Sequence, residues 1–241
     1  MKFTKLYRFF LSTVLLVVFS LTSQAQEDRF KFGMKFSGNI SWISPQSSNI
    51  AQNGTGFGYS YGVMGDFFFS DNYSVNAEIL ITHLAGGIEH LDSLIYLGKG
   101  YDNVTYDYRF QYLQIPISIK FHTKQVGYMS YWAQFGLAPS ILLGARADVG
   151  GPLIDGYPEN TDDIRVNHKV ADEYHFANFD DKVFPMRLPL IIGGGFNYQL
   201  AGDAQLHVGL RIDNGFTNFL VRDDVSNARL NYASITTGVF F

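Results

Sequence analysis

The 241-residue chain has no cysteine and only seven prolines, and beyond its N-terminus it has no long apolar run. The lack of thiols excludes disulfides, thiolate metal sites and a lipid-modified N-terminal cysteine. No later stretch approaches the roughly 20 apolar residues of a membrane helix. Basic residues are also scarce, with 18 Lys and Arg against 22 Asp and Glu. That balance lacks the dense positive surface that nucleic acid demands.

The N-terminus itself reads as a secretory signal peptide, Met1–Ala25. Lys2, Lys5 and Arg8 open it, Phe9–Leu21 is its apolar core, and Ser23-Gln24-Ala25 is a small-x-small cleavage site. Cleavage before Gln26 removes three basic residues and no acid, so the net charge of −4 becomes more negative still. Residues 26–241 suit a single domain. A mean hydropathy of +0.00 does not argue against a membrane. Strands that alternate lipid-facing with interior residues average to neutral.

Side chains alternate between the faces of a strand, so each strand of a membrane barrel should be apolar on one parity. Phe32, Met34, Phe36, Ile40 and Trp42 alternate with Gly33, Lys35, Ser37, Asn39 and Ser41. Tyr59, Tyr61, Val63, Phe67 and Phe69 form a second stripe, and Tyr73, Val75, Ala77, Ile79 and Ile81 a third. The fourth is irregular. Leu113, Ile115, Ile117, Ile119 and Phe121 share one parity, while Tyr106, Tyr108, Phe110 and Tyr112 have the other. Either a bulge near Tyr112-Leu113 reconciles them, or the upstream part stands above the bilayer as hairpin. Pro116 sits awkwardly there, having no ladder donor. Met129–Leu143, Leu188–Tyr198, Leu206–Ile212 and Ala233–Phe241 supply four more stripes.

The connectors alternate in length. Ser70-Asp71-Asn72, His122–Val126 and Ala201-Gly202-Asp203 are short, whereas Ser44–Phe57, Glu89–Asn103, Arg146–Val183 and Phe219–Asn227 are long. Tight turns at one end and large loops at the other point to an all-β, eight-stranded antiparallel up-and-down transmembrane β-barrel with long extracellular loops. Phe32, Phe69, Tyr73, Phe121, Tyr131, Tyr198 and Phe241 then gather at the periplasmic boundary, where aromatic rings suit the interface. Trp42, Tyr59 and Phe216 could serve the other boundary. A soluble sandwich or lipocalin-like barrel would bury these stripes instead, and has no reason to segregate its connectors.

Eight strands enclose an interior just wide enough for side chains to fill. The charged interior positions Lys35, Asp66, Glu78, Arg187, His207, Arg211 and Asp213 are therefore expected to pair and plug the lumen, because an unpaired buried charge is costly. The alternative is a narrow pore or proton path along them.

The strand segments Phe32-Gly33-Met34-Lys35, Ala77-Glu78-Ile79-Leu80 and Tyr112-Leu113-Gln114-Ile115-Pro116 continuing to Lys120-Phe121 carry a resemblance. With Gly193-Gly194-Gly195-Phe196 and the terminal Phe241, they resemble the Bacteroidetes outer-membrane β-barrel family called PorT-like or porin-like. The resemblance implies an outer-membrane protein in contact with membrane lipid, with Phe241 read by the barrel-assembly machinery. Some members of that family assist type IX secretion. The acidic-aromatic opening segment and the Phe-Pro-Leu form of the fourth strand that go with the secretion factor itself are absent here.

The third long loop holds Asp148, Asp155, Glu159, Asp162, Asp163, Asp172, Glu173, Asp180 and Asp181, without EF-hand spacing. It reads as a solvated loop, with calcium binding the alternative. Tyr157, Tyr174, Phe176 and Phe179 make it a candidate surface for a protein or glycan ligand. His83, His90, His168, His175 and Ser140 show no nucleophile–base spacing. The glycine runs Gly54–Gly58 and Gly193–Gly195 lack the lysine and hydroxyl of a phosphate loop. The expected function is non-enzymatic, with no cofactor, no metal and no nucleic-acid partner, and with surface loops that bind a partner. A small channel or secretion accessory is the second expectation, and a lipid- or peptide-hydrolysing enzyme the third.

Overall fold

In the computed structural model, residues 29–91, 94–96, 99–101, 104–150, 183–218 and 227–241 are described. The expected signal peptide and most of the third long loop lie outside them.

Eight barrel strands are formed by the described residues. They are β1 (Phe30–Pro45), β2 (Thr55–Ser70), β3 (Tyr73–His90), β4 (Val104–Gln114 with Ile117–His122), β5 (Met129–Leu137 with Ser140–Gly150), β6 (Met186–Arg187 with Pro189–Gln199), β7 (Gln205–Gly215) and β8 (Ala228–Phe240). Each pairs antiparallel with its chain neighbours. β8 returns to β1 in continuous register from Gly33↔Phe240 to Pro45↔Ala228. The ring is closed, and no edge is left to bond with another chain.

The stripes face outward. Phe36, Ile79 and Phe135 are each more than half exposed, while Glu78 and Arg211 are 2% exposed on the inside. The seven aromatics expected at the short-turn end are all exposed there, among them Tyr73, which meets Phe69 at 6.0 Å and Phe121 at 5.4 Å. At the far end Tyr59 stacks on His83 at 4.5 Å, Phe216 is exposed and Trp42 is half-buried.

The fourth strand decides between the two sequence readings, in favour of a segment standing above the bilayer. No bulge lies at Tyr112-Leu113: Tyr108, Phe110, Tyr112, Gln114, Ser118 and Lys120 all point inward on one unbroken parity. Outward, the same strand changes from Leu113–Phe121 to exposed Asp107 and Arg109. Its far half has left the hydrocarbon, so polarity inverts while geometry does not. The register shift falls on β5 instead, between Leu142 and Gly144 opposite that half.

Three neighbouring strands carry a proline where their ladders break: Pro116, Pro139 and Pro189. Each lacks a donor but keeps its acceptor, receiving Glu78 N at 3.0 Å, Ile115 N at 2.8 Å and Ala138 N at 3.0 Å respectively. Pro189 cannot return a bond to the Ala138 carbonyl. Ser140 Oγ, fully enclosed in the wall, donates to that oxygen at 2.8 Å instead.

Two predictions follow from this wall. Ser140→Ala strands a buried carbonyl and should lower unfolding free energy by about 1–3 kcal/mol. Ile79→Arg, mid-strand on the lipid face, should cost about 2–4 kcal/mol. Both are read by guanidinium unfolding in lipid vesicles, and a shift under 0.5 kcal/mol for either would count against the packing described.

Candidate functional site

The interior is built in two layers of opposite chemistry. The first, toward the short turns, is charged. Lys35 on β1 donates from Nζ to both Glu78 oxygens of β3 at 3.0 Å. Arg211 on β7 donates from Nη1 to Glu78 Oε2 at 3.1 Å and from Nε to Asp213 Oδ2 at 2.8 Å. Gln114 Nε2 reaches Asp213 Oδ1 at 3.4 Å, while its Oε1 accepts from the Tyr232 hydroxyl at 2.9 Å and from Thr82 Oγ1 at 3.2 Å. The chain of bonds thus links five strands across the lumen. Charges alternate along it, which offsets the desolvation each group suffers.

A second centre lies beside it. Lys120 Nζ holds Asp66 at 3.0 and 3.1 Å, and Asn76 Nδ2 donates to Asp66 Oδ1 at 2.7 Å. The same ammonium stands 5.3 Å from the ring centroids of Trp132 and Phe240. His207 stacks on Trp132 at 4.5 Å, and its Nδ1 bonds Asn197 Oδ1 at 2.7 Å. The inner floor is polar, with Lys31 Nζ donating to Gln205 Oε1 at 3.1 Å and Ser74 Oγ bonded to His122 Nε2 at 2.8 Å.

The second layer, toward the long connectors, is apolar. Ile43, Leu84, Ile88, Phe110, Leu230 and Tyr232 pack with Ile50 from the first loop and Val183 from the end of the third. The strand Ile50–Gln52 pairs back onto β3, which brings Ile50 over the mouth. Tyr106, Tyr108, Phe110 and Tyr112 climb the wall with successive ring separations of 6.0, 5.5 and 6.0 Å.

All seven interior positions expected from parity are buried. Lys35, Glu78, Arg211 and Asp213 join one network; Asp66 joins the Lys120 centre. Arg187 and His207 do not pair with a carboxylate among the described residues. Arg187 donates from Nε and Nη2 to the Leu230 carbonyl at 3.2 and 2.9 Å and lies 5.4 Å over the Tyr232 ring. Lys120, fully buried on Asp66, belongs with these seven. Its parity, opposite Ile119 and Phe121, already placed it inside.

Among the described side chains, the candidates Ser140 and His83 do not converge. Ser140 faces inward onto Ala138, while His83 lies between Tyr59 and Tyr61 on the outer wall. His168, His175 and the loop aromatics Tyr157, Tyr174, Phe176 and Phe179 fall outside the described residues, as do Asp155–Asp181. Phe241 is outward and exposed, its N–H bonded to the Phe32 carbonyl at 2.7 Å.

A closed ring of strands with apolar stripes outside and buried charge inside defines a transmembrane β-barrel of the outer-membrane type. Residues 23–221 match the model of the outer membrane protein beta-barrel domain, and the chain belongs to that family. Its place is therefore the outer membrane, with tight turns periplasmic and long connectors outside. Among solved structures, neisserial surface protein A is 12% identical, covering 87% of this chain and 95% of its own, with a TM-score of 0.46. OprG from Pseudomonas aeruginosa is 10% identical over 88% and 97%, with a TM-score of 0.41. Ail, the attachment invasion locus protein of Yersinia pestis, in complex with the heparin analogue sucrose octasulfate, is 8% identical over 88% and 99%, at 0.38. No curated protein matches the chain. The family match carries the assignment.

Glu78→Ala leaves Lys35 and Arg211 facing one another without their shared carboxylate. Unfolding should cost about 3–5 kcal/mol less, measured by the folded-to-unfolded mobility shift of unboiled samples in urea. Wild-type stability in this variant would mean that the network does not hold the barrel.

Proposed function

We propose that this barrel is a non-enzymatic support that holds its long outer connectors at the cell surface, where they bind a protein or glycan partner. The observation that carries the reading is the filling of the lumen in two layers. An ion crossing from outside would first have to pass Ile50, Val183 and the aromatic ladder, a mainly apolar layer that is a poor substitute for its hydration. Below that, every step would displace a carboxylate or cation from its partner. A scaffold uses such a plug; a diffusion channel is obstructed by it.

Tyr157, Tyr174, Phe176 and Phe179 are our choice for the contact surface, since aromatic anchors are enriched where partners dock. Met1–Ala25 serves as the export signal, and Phe241 as the mark by which the assembly machinery takes the chain. Finer placement among PorT-like proteins of the Bacteroidetes rests on the Phe32–Lys35, Ala77–Leu80 and Tyr112–Pro116 segments.

Purified barrel in planar bilayers should give no discrete conductance steps in molar potassium chloride. A photo-crosslinker at Tyr174 in intact cells should trap one defined partner that a crosslinker at periplasmic Tyr128 does not. Regular single-channel steps would replace the scaffold with the channel, and identical crosslinks at both positions would remove the loop from the interface.

A further inference from the structure

Two arginines face one another on the outer wall. Arg109 of β4 and Arg146 of β5 are exposed and stand directly opposite in the strand register. Residues so paired have Cα atoms about 5 Å apart, and like charges in that position destabilise a sheet. A local irregularity creates the pair. Below it the odd positions of β5 face outward, with Ile141 and Leu143 about half exposed. The register then shifts between Leu142 and Gly144, so Ala145 and Ala147 turn inward and are buried while Arg146 faces out. Without the extra residue Arg146 would point into the apolar layer. A bulge can re-aim a side chain, and this one aims a cation at another cation.

The pair stands at a defined depth. Outward residues of β4 stay apolar from Phe121 to Leu113, pass Gln111, and reach their first charge at Arg109. On β5 the first outward charge is Arg146, after Leu143. At about 3.3 Å per residue and a tilt of about 40°, Arg109 lies about 30 Å above Phe121 of the periplasmic girdle, whereas the apolar band of such a barrel is about 25 Å tall. The two guanidinium groups therefore meet the headgroups of the outer leaflet. The wall beside them is open. Ala85 is the neighbour of Arg109 on β3, and nothing lies within 4 Å of where a Cβ on Gly144, opposite Gln111, would stand. Asp107 and Asp148, the next outward pair in register, come about 7 Å further along the strands, toward water.

Two cations held side by side call for an anion that accepts from both. Arg109 makes a contact within the chain, but a guanidinium carries five donors in a planar fork and can bond a second group as well. Phosphate oxygens match that fork bidentately, and at this depth the anions at hand are the phosphates of lipid headgroups. We propose that Arg109 and Arg146 together bind one phosphate of an outer-leaflet lipid, whose acyl chains lie down the wall over Leu143, Ile141 and Leu113. The site is on the lipid-facing wall, apart from both the lumenal plug and the partner-binding connectors.

The test titrates full-length mature barrel in detergent micelles with diphosphoryl lipid A, followed by native mass spectrometry. The lipid should bind saturably, and its dephosphorylated form should not. Arg146→Gln removes one charged fork but keeps an exposed polar side chain, and should raise the half-saturating concentration about tenfold. Arg229→Gln, which removes an exposed arginine from β8 on the other side of the ring, should leave it unchanged. Heat-modifiable migration on gels checks that each variant is folded, and Arg109→Gln takes the place of Arg146→Gln if the latter is not. Equal binding of dephosphorylated lipid, a half-saturation unmoved by the pair variant, an equal loss in Arg229→Gln, or displacement of the lipid by equimolar inorganic phosphate would each overturn the proposal and leave the two arginines as ordinary surface charge.

Discussion

Hydrocarbon offers a peptide group nothing to bond with, so a strand that enters it must find both neighbours within its own chain. Every other feature of this barrel answers to that constraint. β8 meets β1 along its whole length, which removes the last open edge. Where prolines interrupt β4, β5 and β6, their carbonyls still accept, and a serine hydroxyl supplies a donor that the backbone lacks. The wall tolerates local defects because each is repaired at short range.

Closure creates an inside that must be filled, and the filling depends on what surrounds the wall. Within the bilayer the outer face takes the apolar residues, which leaves polar and charged ones for the lumen. There Glu78 is shared by Lys35 and Arg211, so that two cations bond one carboxylate. Above the bilayer the outer face meets water, carries Asp107 and Arg109, and the inside becomes an ordinary apolar core. The two layers are thus one pattern seen in two solvents.

This explains both what could be read from the sequence and what could not. Parity placed Phe36, Ile79 and Phe135 outside and Lys35, Asp66, Glu78, Arg211 and Asp213 inside, because the membrane makes one parity greasy throughout. The same rule failed at Tyr106–Tyr112. Taken alone it needs a bulge there; the other reading, a segment standing above the bilayer, is the one that holds, because the surroundings change while the register does not. Lys120 has the right parity, but in the sequence it stands out only within the family-like segment that ends in Lys120-Phe121, with nothing to mark it as the partner of Asp66. Pairing across the lumen was not legible at all. Which of seven buried charges meet depends on strand stagger, and the sequence carries no direct mark of it. The glycines of β6 carry no phosphate-loop signal in the sequence; their register against Trp132 and Gln134 shows that they clear room for larger neighbours.

The first strand's partner on one side is the eighth, nearly the full polypeptide away. Such a ring cannot be finished piecemeal. Until the closing strand arrives, β1 holds a row of unused donors and acceptors, and a slow, non-local search stands between the nascent polymer and its resting shape. No partial product of synthesis can shelter its own margins, so the exposed strand edges last until the whole polypeptide is in place.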